Sequence, residues 1–480
     1  MSWPTWRQPA IPLGTFGPPL LERRLKVPVH EIKTHGHVIG ISGSGKSRFL
    51  AGLFLMLHNL GLAATLVDPH GDLARLILAH LVAQGFFNDP GAFARLRYLD
   101  LPTAERRGRF LPFNVLSQQL PPHTIASNFK EACHRAWPQL AGGAAPMFDT
   151  LIQDGVKVLI SNHLPLPALY QMLTDKGFRD GLLQREEDTD VVAFFRQQFD
   201  RLAPRDQADQ AGAALRRAHL LTFSPVLKYS LGQKTSAVDH RAMIIEGHSA
   251  VINLALGDAE ARRLFGCLLT VFAEQGALSL ADLAPGQREH HHFLILDEFA
   301  EFTAQSEESL ARILSLCRKF GLSVVMAHQT WSQTSARLRG ALQNVGIEVV
   351  FRLGREDAEY SARTMGRVNP EAIKHEVPDP YQVEKTHPLF YSLPEQWEAW
   401  VRGIQDLRPR EAFLRRPNGK VAKMRTLSVP EPKVNPARLQ AVEEYYLSNY
   451  FRPQQEIESE MMEYRVQAND SPTLTRMRAV

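Results

Sequence analysis

The feature that most constrains the fold is a glycine-rich segment, residues 40–47, which reads Gly-Ile-Ser-Gly-Ser-Gly-Lys-Ser. It fits the pattern G-x-x-x-x-G-K-[ST], follows a short apolar run from His37 to Ile41, and precedes a helix-forming stretch from Arg48 to Asn59. A strand, such a loop and a helix in this order form a phosphate-binding loop, in which backbone N–H groups and the helix N-terminus face the phosphates. The sequence therefore predicts an ATP-binding α/β domain.

Several residues of this segment have a predicted role. Lys46 is expected to reach the β- and γ-phosphates, and Ser47 to ligate Mg²⁺. The small residues allow the backbone to approach the phosphates closely. The predicted nucleotide-binding residues are Gly40, Ser42, Gly43, Ser44, Gly45, Lys46, Ser47 and Arg48. The alternative interpretation is a glycine turn that binds no nucleotide, and the flanking strand and helix argue against it.

Two adjacent carboxylates follow a second apolar run, residues 293–298, which reads Phe-Leu-Ile-Leu-Asp-Glu. This pattern predicts a buried strand with Asp297 and Glu298 at its tip. We assign Asp297 to the magnesium ion and Glu298 to the general base that polarises the attacking water. An apolar run that ends in Asp-Glu is common by itself, but together with the phosphate-binding loop it predicts hydrolysis.

A polar residue also follows the predicted strand from Ser323 to His328. Gln329 could sense the γ-phosphate and orient the attacking water, or it could simply cap the strand. Arg318 precedes the same strand and ends a predicted helix, where a cation can complement the helix dipole. It could instead reach the phosphate of a neighbouring subunit as an arginine finger. The residues alone leave this open, with Arg352 and Arg355 as competing candidates.

The order of predicted elements divides the chain into parts. Strands alternate with helices up to about residue 120, which indicates parallel βαβ units. Residues 121–235 are predicted to be helical, and residues 202–210 within them a solvated turn, before the alternation resumes. We therefore predict one α/β domain, formed by residues 36–120 and 236–430, that carries an inserted all-α domain, residues 121–235. Residues 1–35 are predicted as an N-terminal arm with short strands, residues 411–427 as a hairpin that turns at Asn418-Gly419, and residues 431–480 as a helix and a polar tail.

Composition restricts the class of protein only broadly. The chain has 480 residues, 44% of them hydrophobic and 22% charged, which is typical of a soluble globular protein. Its net charge of +4 is too small to identify a nucleic-acid binder, and its three scattered cysteines fit a reducing compartment better than a disulfide framework. A spanning helix needs about 20 mostly apolar residues, and none is predicted. The expected location is cytoplasmic, or peripheral at the inner face of the cell membrane.

Several segments together resemble the FtsK/HerA superfamily of ring-shaped DNA motors, and within it the conjugative coupling proteins of the TraG/TraD group. In chain order these segments are SGSGKS, VDPHGDL, LILDEF, RKFG followed by AHQ, and NVGIEVVFRLGREDAE. The first two segments precede the predicted helical insertion, and the third follows it. The likeness covers roughly residues 25–430. Coupling proteins usually carry N-terminal transmembrane helices, which this sequence is not expected to have.

The resemblance implies a RecA-like P-loop motor domain with a mainly parallel sheet and an inserted all-α domain on the substrate side. It implies a homo-hexameric ring with ATP and Mg²⁺ at the subunit interfaces and DNA, double-stranded in the favoured case, in the central channel. In such a ring Arg318 would act in trans and Gln329 as the sensor. A membrane-bound or relaxosome-like protein is a further expected partner in conjugation-like DNA transfer. The alternatives are a secretion or genome-packaging ATPase and a nucleotide-switched scaffold protein.

Overall fold

The computed structural model describes residues 9–18, 21–137, 140, 147–283, 290–303, 314, 316–379 and 382–469. Its strands are, in chain order, β1 (Ala10–Phe16), β2 (Arg23–Pro28), β3 (Gly36–Ile39), β4 (Ala63–Asp68), β5 (Leu96–Asp100), β6 (Arg109–Phe110), β7 (Ser249–Asn253), β8 (His292–Leu296), β9 (Leu322–His328), β10 (Ile347–Val350), β11 (Ile373–Asp379), β12 (Gln382–Phe390), β13 (Glu411–Arg415), β14 (Val421–Thr426) and β15 (Arg452–Pro453).

The α-helices of the described residues are α1 (Val29–Ile32), α2 (Lys46–Asn59), α3 (Asp72–Ala83), α4 (Ala92–Arg95), α5 (Leu101–Arg106), α6 (Pro122–Ala136), α7 (Phe148–Ser161), α8 (Ala168–Thr174), α9 (Lys176–Leu183), α10 (Thr189–Ala193), α11 (Pro204–Phe223), α12 (Pro225–Leu231), α13 (His240–Glu246), α14 (Ala259–Leu278), α15 (Ala300–Thr303), α16 (Ala336–Leu342), α17 (Arg355–Met365), α18 (Leu393–Gln405), α19 (Pro436–Tyr450) and α20 (Gln454–Asn469).

The chain forms two compact units. Unit 1 comprises Met1–Gly61, Ile295–Glu298 and Ser323–Pro430, and unit 2 comprises Leu62–Leu294, Phe299–Leu322 and Glu431–Val480. In unit 1 the strands lie side by side in the order β2-β1-β14-β13-β10-β3-β9, followed by the end of β8. β3 pairs in parallel with both β9 and β10, whereas β13, β14, β1 and β2 pair antiparallel. The carboxyl ends of β3, β9 and β10 therefore meet at one edge, which is where ligands bind in open α/β sheets.

The interior of unit 1 is built around its parallel strands. Every residue of β3, β9 and β10 is buried, as expected for parallel strands that are covered on both faces. α2 buries a stripe of large apolar side chains, among them Phe49, Leu50, Leu53, Phe54 and Leu57. β2, which ends in Pro28, lies at the edge of this strand order. Proline has no backbone N–H to donate, so within sheets it is found mainly on edge strands.

Unit 2 combines three parallel strands with most of the helices. β7 lies between β4 and β5 and pairs in parallel with both. Helices α6 to α13 follow one another between residues 122 and 246, and α14 packs on α6 and α13. The segment Ala259–Asp282 is long and apolar enough to span a membrane, with a mean hydropathy of 1.5, but 78% of its apolar window is buried inside the protein. It has the burial of a core helix.

The parallel pairs of both units confirm the predicted α/β class with a mainly parallel sheet, and the hairpin turns at Gly419, which has φ +73°. One expectation is wrong. Residues 202–210, predicted as a solvated turn, mostly belong to α11, because Pro204 occupies the first turn, where its missing N–H is not needed. The predicted polar tail contains α20, which buries Ile457. Residues 1–8 of the predicted arm lie outside the described residues, and the boundaries of the inserted domain stay a prediction.

Candidate nucleotide-binding site

The segment from Gly40 to Gly45 forms a loop whose shape requires glycine at three positions. Gly43 and Gly45 have φ values of +75° and +105°, in the left-handed region that side chains disfavour. A Cβ atom on Gly40 would lie 2.6 Å from Cβ of Phe351 and 2.7 Å from Oγ of Ser44. α2 begins directly after the loop, at Lys46. Its first N–H groups have no partner within the helix, so they can bind a phosphate.

The loop is hydrogen-bonded to the elements around it. The N–H of Gly40 donates to the last carbonyl of β9 over 3.3 Å, and the N–H of Ile41 donates to the carbonyl of Arg352 over 3.0 Å. On the other side, the N–H of Arg410 donates to the carbonyl of Ser44 over 2.8 Å. Arg410 has φ +71° and its guanidinium donates to the carbonyl of Thr426 over 2.7 Å. Sequence reasoning missed this contact, because no motif marks Arg410.

The predicted acidic pair meets the loop at its functional end. Asp297 and Glu298 are 3% and 5% exposed and directly follow β8. The hydroxyl of Ser47 donates to Oδ2 of Asp297 over 3.4 Å, and Nζ of Lys46 donates to Oε2 of Glu298 over 3.1 Å. The structure therefore brings together four predicted site residues from two segments 250 positions apart.

Glu298 is held by two glutamines in addition to Lys46. Nε2 of Gln329 donates to Oε2 of Glu298, and Nε2 of Gln333 donates to Oε1, each over 3.1 Å. Oε1 of Gln333 in turn accepts from the N–H groups of Gln329 and Thr330. Glu298 itself has φ +47°, a conformation that costs a non-glycine residue about 1–3 kcal/mol and clusters at functional sites. The carboxylate is thus fixed in place by three donors.

Gln333 was not predicted, although the sequence carries a signal for it. Thr330 and Gln333 form a capping box around the short 3₁₀ helix Trp331–Gln333. The spacing Thr-x-x-Gln is the signature of such a box, and it would have placed the Gln333 side chain at the backbone of Thr330, the residue after Gln329.

The other predicted nucleotide-binding residues have varied surroundings. Ser42 and Gly43 are exposed at the tip of the loop, and Ser44 is buried beneath it. The guanidinium of Arg48 donates to the carbonyl of Val429 over 2.9 Å. Arg48 therefore takes part in the packing of the segment that follows β14.

The three candidate arginine fingers differ in their surroundings. Arg318 is exposed and belongs to unit 2, in the 3₁₀ helix Cys317–Phe320. Arg352 belongs to unit 1 and follows β10. Arg355 donates to both carboxylate oxygens of Glu398 over 2.8 Å and also to Glu359. Hydrogen bonds from Arg355 and then Arg402 lower the pKa of Glu398 to about 2. Arg355 is thus engaged by carboxylates.

The arrangement suits magnesium nucleotide chemistry. The hydroxyl of Ser47 and the carboxylate of Asp297 are hard oxygen ligands close enough to share one Mg²⁺ ion, and such ions prefer oxygen ligands. Lys46 supplies a cation for phosphates, and Glu298 supplies a carboxylate that can accept a proton. These four residues could therefore bind and hydrolyse a magnesium-bound nucleoside triphosphate.

No protein-family model and no curated protein match the sequence, but solved structures do. The plasmid coupling protein TrwB in complex with the ATP analogue ADPNP is 18% identical, with a TM-score of 0.56 over 86% of this chain and 89% of that chain. TrwB in complex with ADP and Mg²⁺ is 18% identical, with a TM-score of 0.52 over the same 86% and 89%. VirB4 of Thermoanaerobacter pseudethanolicus is 12% identical, with a TM-score of 0.52 over 85% of this chain and 91% of that chain. The chain therefore has the α/β fold of the coupling protein TrwB and of VirB4, in agreement with the resemblance of its motifs.

Proposed function

We propose that this chain is an ATPase that uses ATP hydrolysis to move DNA, double-stranded in the favoured case, through the channel of a homo-hexameric ring. The observation that carries the ATPase is the convergence of Lys46 and Ser47 with Asp297 and Glu298. TrwB, which has the same fold, is known in complex with ADPNP and with ADP and Mg²⁺. This supports ATP and Mg²⁺ as the ligands of the present site.

Each residue of the site has a distinct task in the proposed reaction. Lys46 would neutralise charge on the β- and γ-phosphates, and Ser47 and Asp297 would hold a Mg²⁺ ion, which would supply positive charge to the phosphate oxygens. Glu298 accepts a proton from the attacking water, and its three hydrogen bonds hold the carboxylate in one orientation. Gln329, whose amide donates a hydrogen bond to Glu298, can orient the same water.

The DNA cargo rests on the resemblance to coupling proteins and on basic residues of the helical segment. Arg216 and His219 are exposed on α11, and Lys234 is exposed after α12. Arg217 lies with its guanidinium 4.9 Å from the centre of the Trp137 ring, so it also packs within unit 2. Exposed arginine and lysine side chains can contact a phosphate backbone. We place the protein in conjugation-like DNA transfer, in the cytoplasm or peripherally at the inner face of the membrane, beside a membrane-bound or relaxosome-like partner.

The test is the rate of Mg²⁺-dependent ATP hydrolysis by the purified chain, with and without linear duplex DNA. Hydrolysis should be stimulated by DNA, and the stimulation should decline as salt rises, because phosphate contacts release counterions. Lys46→Ala should abolish hydrolysis, and Lys26→Ala, a change of an exposed lysine on β2, should leave it intact. Hydrolysis by Lys46→Ala at the wild-type rate would show that the site is misassigned. An equal rate of hydrolysis with and without DNA would refute DNA as the cargo but would still support the ATPase activity.

The proposed ring predicts how arginine variants should affect the rate of hydrolysis. In the assembled protein, Arg318→Ala should reduce hydrolysis by about 10³-fold if Arg318 acts on a neighbouring subunit. Arg355→Ala should have a small effect, because Glu398 and Glu359 already bind this side chain. Mass photometry in the presence of ATP should show six copies of the chain, and a strictly monomeric active enzyme would rule out the ring.

A further inference from the structure

Four polar side chains, three of them buried, form a continuous row across four neighbouring strands of unit 1. They are Arg415 of β13, Glu348 of β10, His37 of β3 and His328 of β9, and we call this row the histidine ladder. Glu348 lies opposite Arg415 on one side and opposite His37 on the other. His37 and His328 are 0% exposed and Glu348 is 2% exposed.

The contacts along the histidine ladder are short. Nε of Arg415 donates to Oε2 of Glu348 over 2.9 Å, and Nδ1 of His37 lies 3.4 Å from Oε1 of Glu348. Nε2 of His37 lies 2.7 Å from Nε2 of His328. Burial raises the pKa of Glu348, but the proximity of His37 and of Arg415 outweighs burial and lowers it. Glu348 is therefore a buried carboxylate that is paired with Arg415 and lies beside Nδ1 of His37.

The proton on His328 can be assigned from its neighbours. Burial, and then the proximity of His37, hold the pKa of His328 well below its usual range, so this ring is neutral and carries one N–H. Nδ1 of His328 lies 2.9 Å from the carbonyl oxygen of Thr330, which can only accept a hydrogen bond. Nδ1 therefore carries the proton, and Nε2 accepts from the N–H of His37.

The histidine ladder ends beside the catalytic carboxylate. The carbonyl that His328 holds belongs to Thr330, and the preceding residue, Gln329, donates to Glu298. Trp331 packs on both imidazoles, with ring centres 4.9 Å from His37 and 5.4 Å from His328. The backbone that follows Gln329 is thus fixed by the hydrogen bond between His328 and Thr330 and by the packing of Trp331 on both imidazoles.

We propose that the histidine ladder is a positioning network for Gln329. By holding the carbonyl of Thr330, His328 places the Gln329 amide on Glu298, and His37, Glu348 and Arg415 keep His328 in the orientation and tautomer that this requires. The proposal rests on the ATPase function proposed above. Buried polar groups are costly to desolvate, and apolar side chains would fill the same space. A requirement for one fixed position of Gln329 accounts for their presence.

Two amide variants separate the two nitrogens of His328, because their side chains differ in length by one methylene group. In His328→Asn the side-chain amide nitrogen takes the place of Nδ1 and can still donate to Thr330. In His328→Gln the amide nitrogen takes the place of Nε2, and the bond to Thr330 is lost. We expect kcat of His328→Gln to fall roughly 10- to 100-fold, since small misplacements cost rates of that order. KM for ATP should not change, and His328→Asn, which keeps the bond to Thr330 and loses the contact with His37, should retain more of kcat than His328→Gln.

A matched control is available in unit 2. His292 is also buried on a strand, and one of its ring nitrogens lies 2.8 Å from the hydroxyl of Thr65. His292→Gln should lower the melting temperature and leave kcat unchanged. This result would show that loss of a buried histidine does not by itself slow hydrolysis.

A second readout does not depend on activity. Hydrogen exchange of the backbone amides of residues 329–334, followed by mass spectrometry, should be faster in His328→Gln than in the wild type and unchanged in His328→Asn. Equal exchange and equal kcat in both variants would overturn the positioning network. If the wild-type protein did not hydrolyse ATP, the proposed function would be refuted, and the exchange rates would still decide whether His328 fixes this segment.

Discussion

Replacing Glu298 by glutamine removes the charge of the proposed general base and keeps its shape. In the structure, Oε2 of Glu298 accepts from Lys46 and Gln329, and Oε1 accepts from Gln333, each over 3.1 Å. A glutamine has one acceptor oxygen and one NH₂ group. One side of the new side chain must therefore turn an NH₂ group toward a donor.

The less costly orientation points the new oxygen to Lys46 and Gln329 and the NH₂ group to Gln333. Gln333 cannot simply reverse its own amide, because its Oε1 accepts from two backbone N–H groups. Glu298→Gln thus loses one hydrogen bond to a charged group, which is worth about 1.5–3 kcal/mol. Lys46 also loses its buried charged partner, so we expect the free energy of unfolding to fall by at least this amount, which a lower melting temperature would report.

The effect on catalysis is measured separately from the effect on stability. Proton transfer by a positioned side chain contributes about 10²- to 10⁴-fold, or roughly 3–5 kcal/mol in the activation free energy. Nucleotide binding should survive in Glu298→Gln, because Lys46, Ser47 and Asp297 are unchanged. Single-turnover hydrolysis of ATP measures the effect on catalysis, and titration with ADPNP measures nucleotide binding.

Glu371→Gln is the matched control, because Glu371 is an exposed glutamate. It should hydrolyse ATP as the wild type does. Hydrolysis by Glu298→Gln at the wild-type rate would refute the role of Glu298 as the base. Loss of ADPNP binding in parallel with hydrolysis would instead show that the carboxylate is needed to form the binding site.

Three further predictions concern stability. Arg410 has φ +71°, so Arg410→Gly should be more stable than Arg410→Ala by about 1–2 kcal/mol, measured by thermal unfolding; equal stabilities would contradict the left-handed backbone. Arg135 and Glu274 form a fully buried ion pair over 2.9 Å; Glu274→Gln should cost roughly 3 kcal/mol, and the double change Arg135→Met with Glu274→Leu should recover most of it. Burial lowers the pKa of His240 to about 4 and, with the charge of His240, that of His292 to about 3. As the pH falls, these histidines therefore take up protons in the unfolded chain before they do so in the folded protein. The free energy of unfolding that is present above pH 6.5 should then decrease as the pH falls. The decrease should be about 2 kcal/mol per histidine between pH 6.5 and 5. Melting temperatures at pH 7 and 5 check this, and His292→Gln should show a weaker pH dependence.

The chemistry of the site could be predicted where it lies in contiguous residues. The loop at Gly40–Ser47 and the pair Asp297-Glu298 each have a spacing that their chemistry requires, so each was recognised locally, and the structure places them in contact. Gln333 and Arg410 were missed, because their role depends on where the chain returns in space. Gln333 reaches Glu298 only because β9 lies beside the end of β8.

The errors in the fold have a similar origin. The start of α11 is polar, and its helical packing depends on the small residues Ala211, Ala214 and Ala218, which are buried but give a weak apolar signal. The pair β11 and β12 was not predicted, since Pro378 and Pro388 fall within it and proline is rare inside strands. Local propensity therefore found the buried strands of the parallel sheet and missed the elements with weak or contradictory patterns.

The bonds that tie the phosphate-binding loop to its surroundings have a consequence for affinity. The loop is anchored to the ends of β9 and β10 and to the residue before β13, and Gly40 fits against Phe351 with no room for a side chain. A loop held in this way gives up little conformational entropy when it closes around a phosphate, and pre-organisation of this kind increases affinity without adding a contact. Loosening an anchor such as Arg410 should thus weaken nucleotide binding mainly through entropy, with the chemical groups that touch the phosphates left in place.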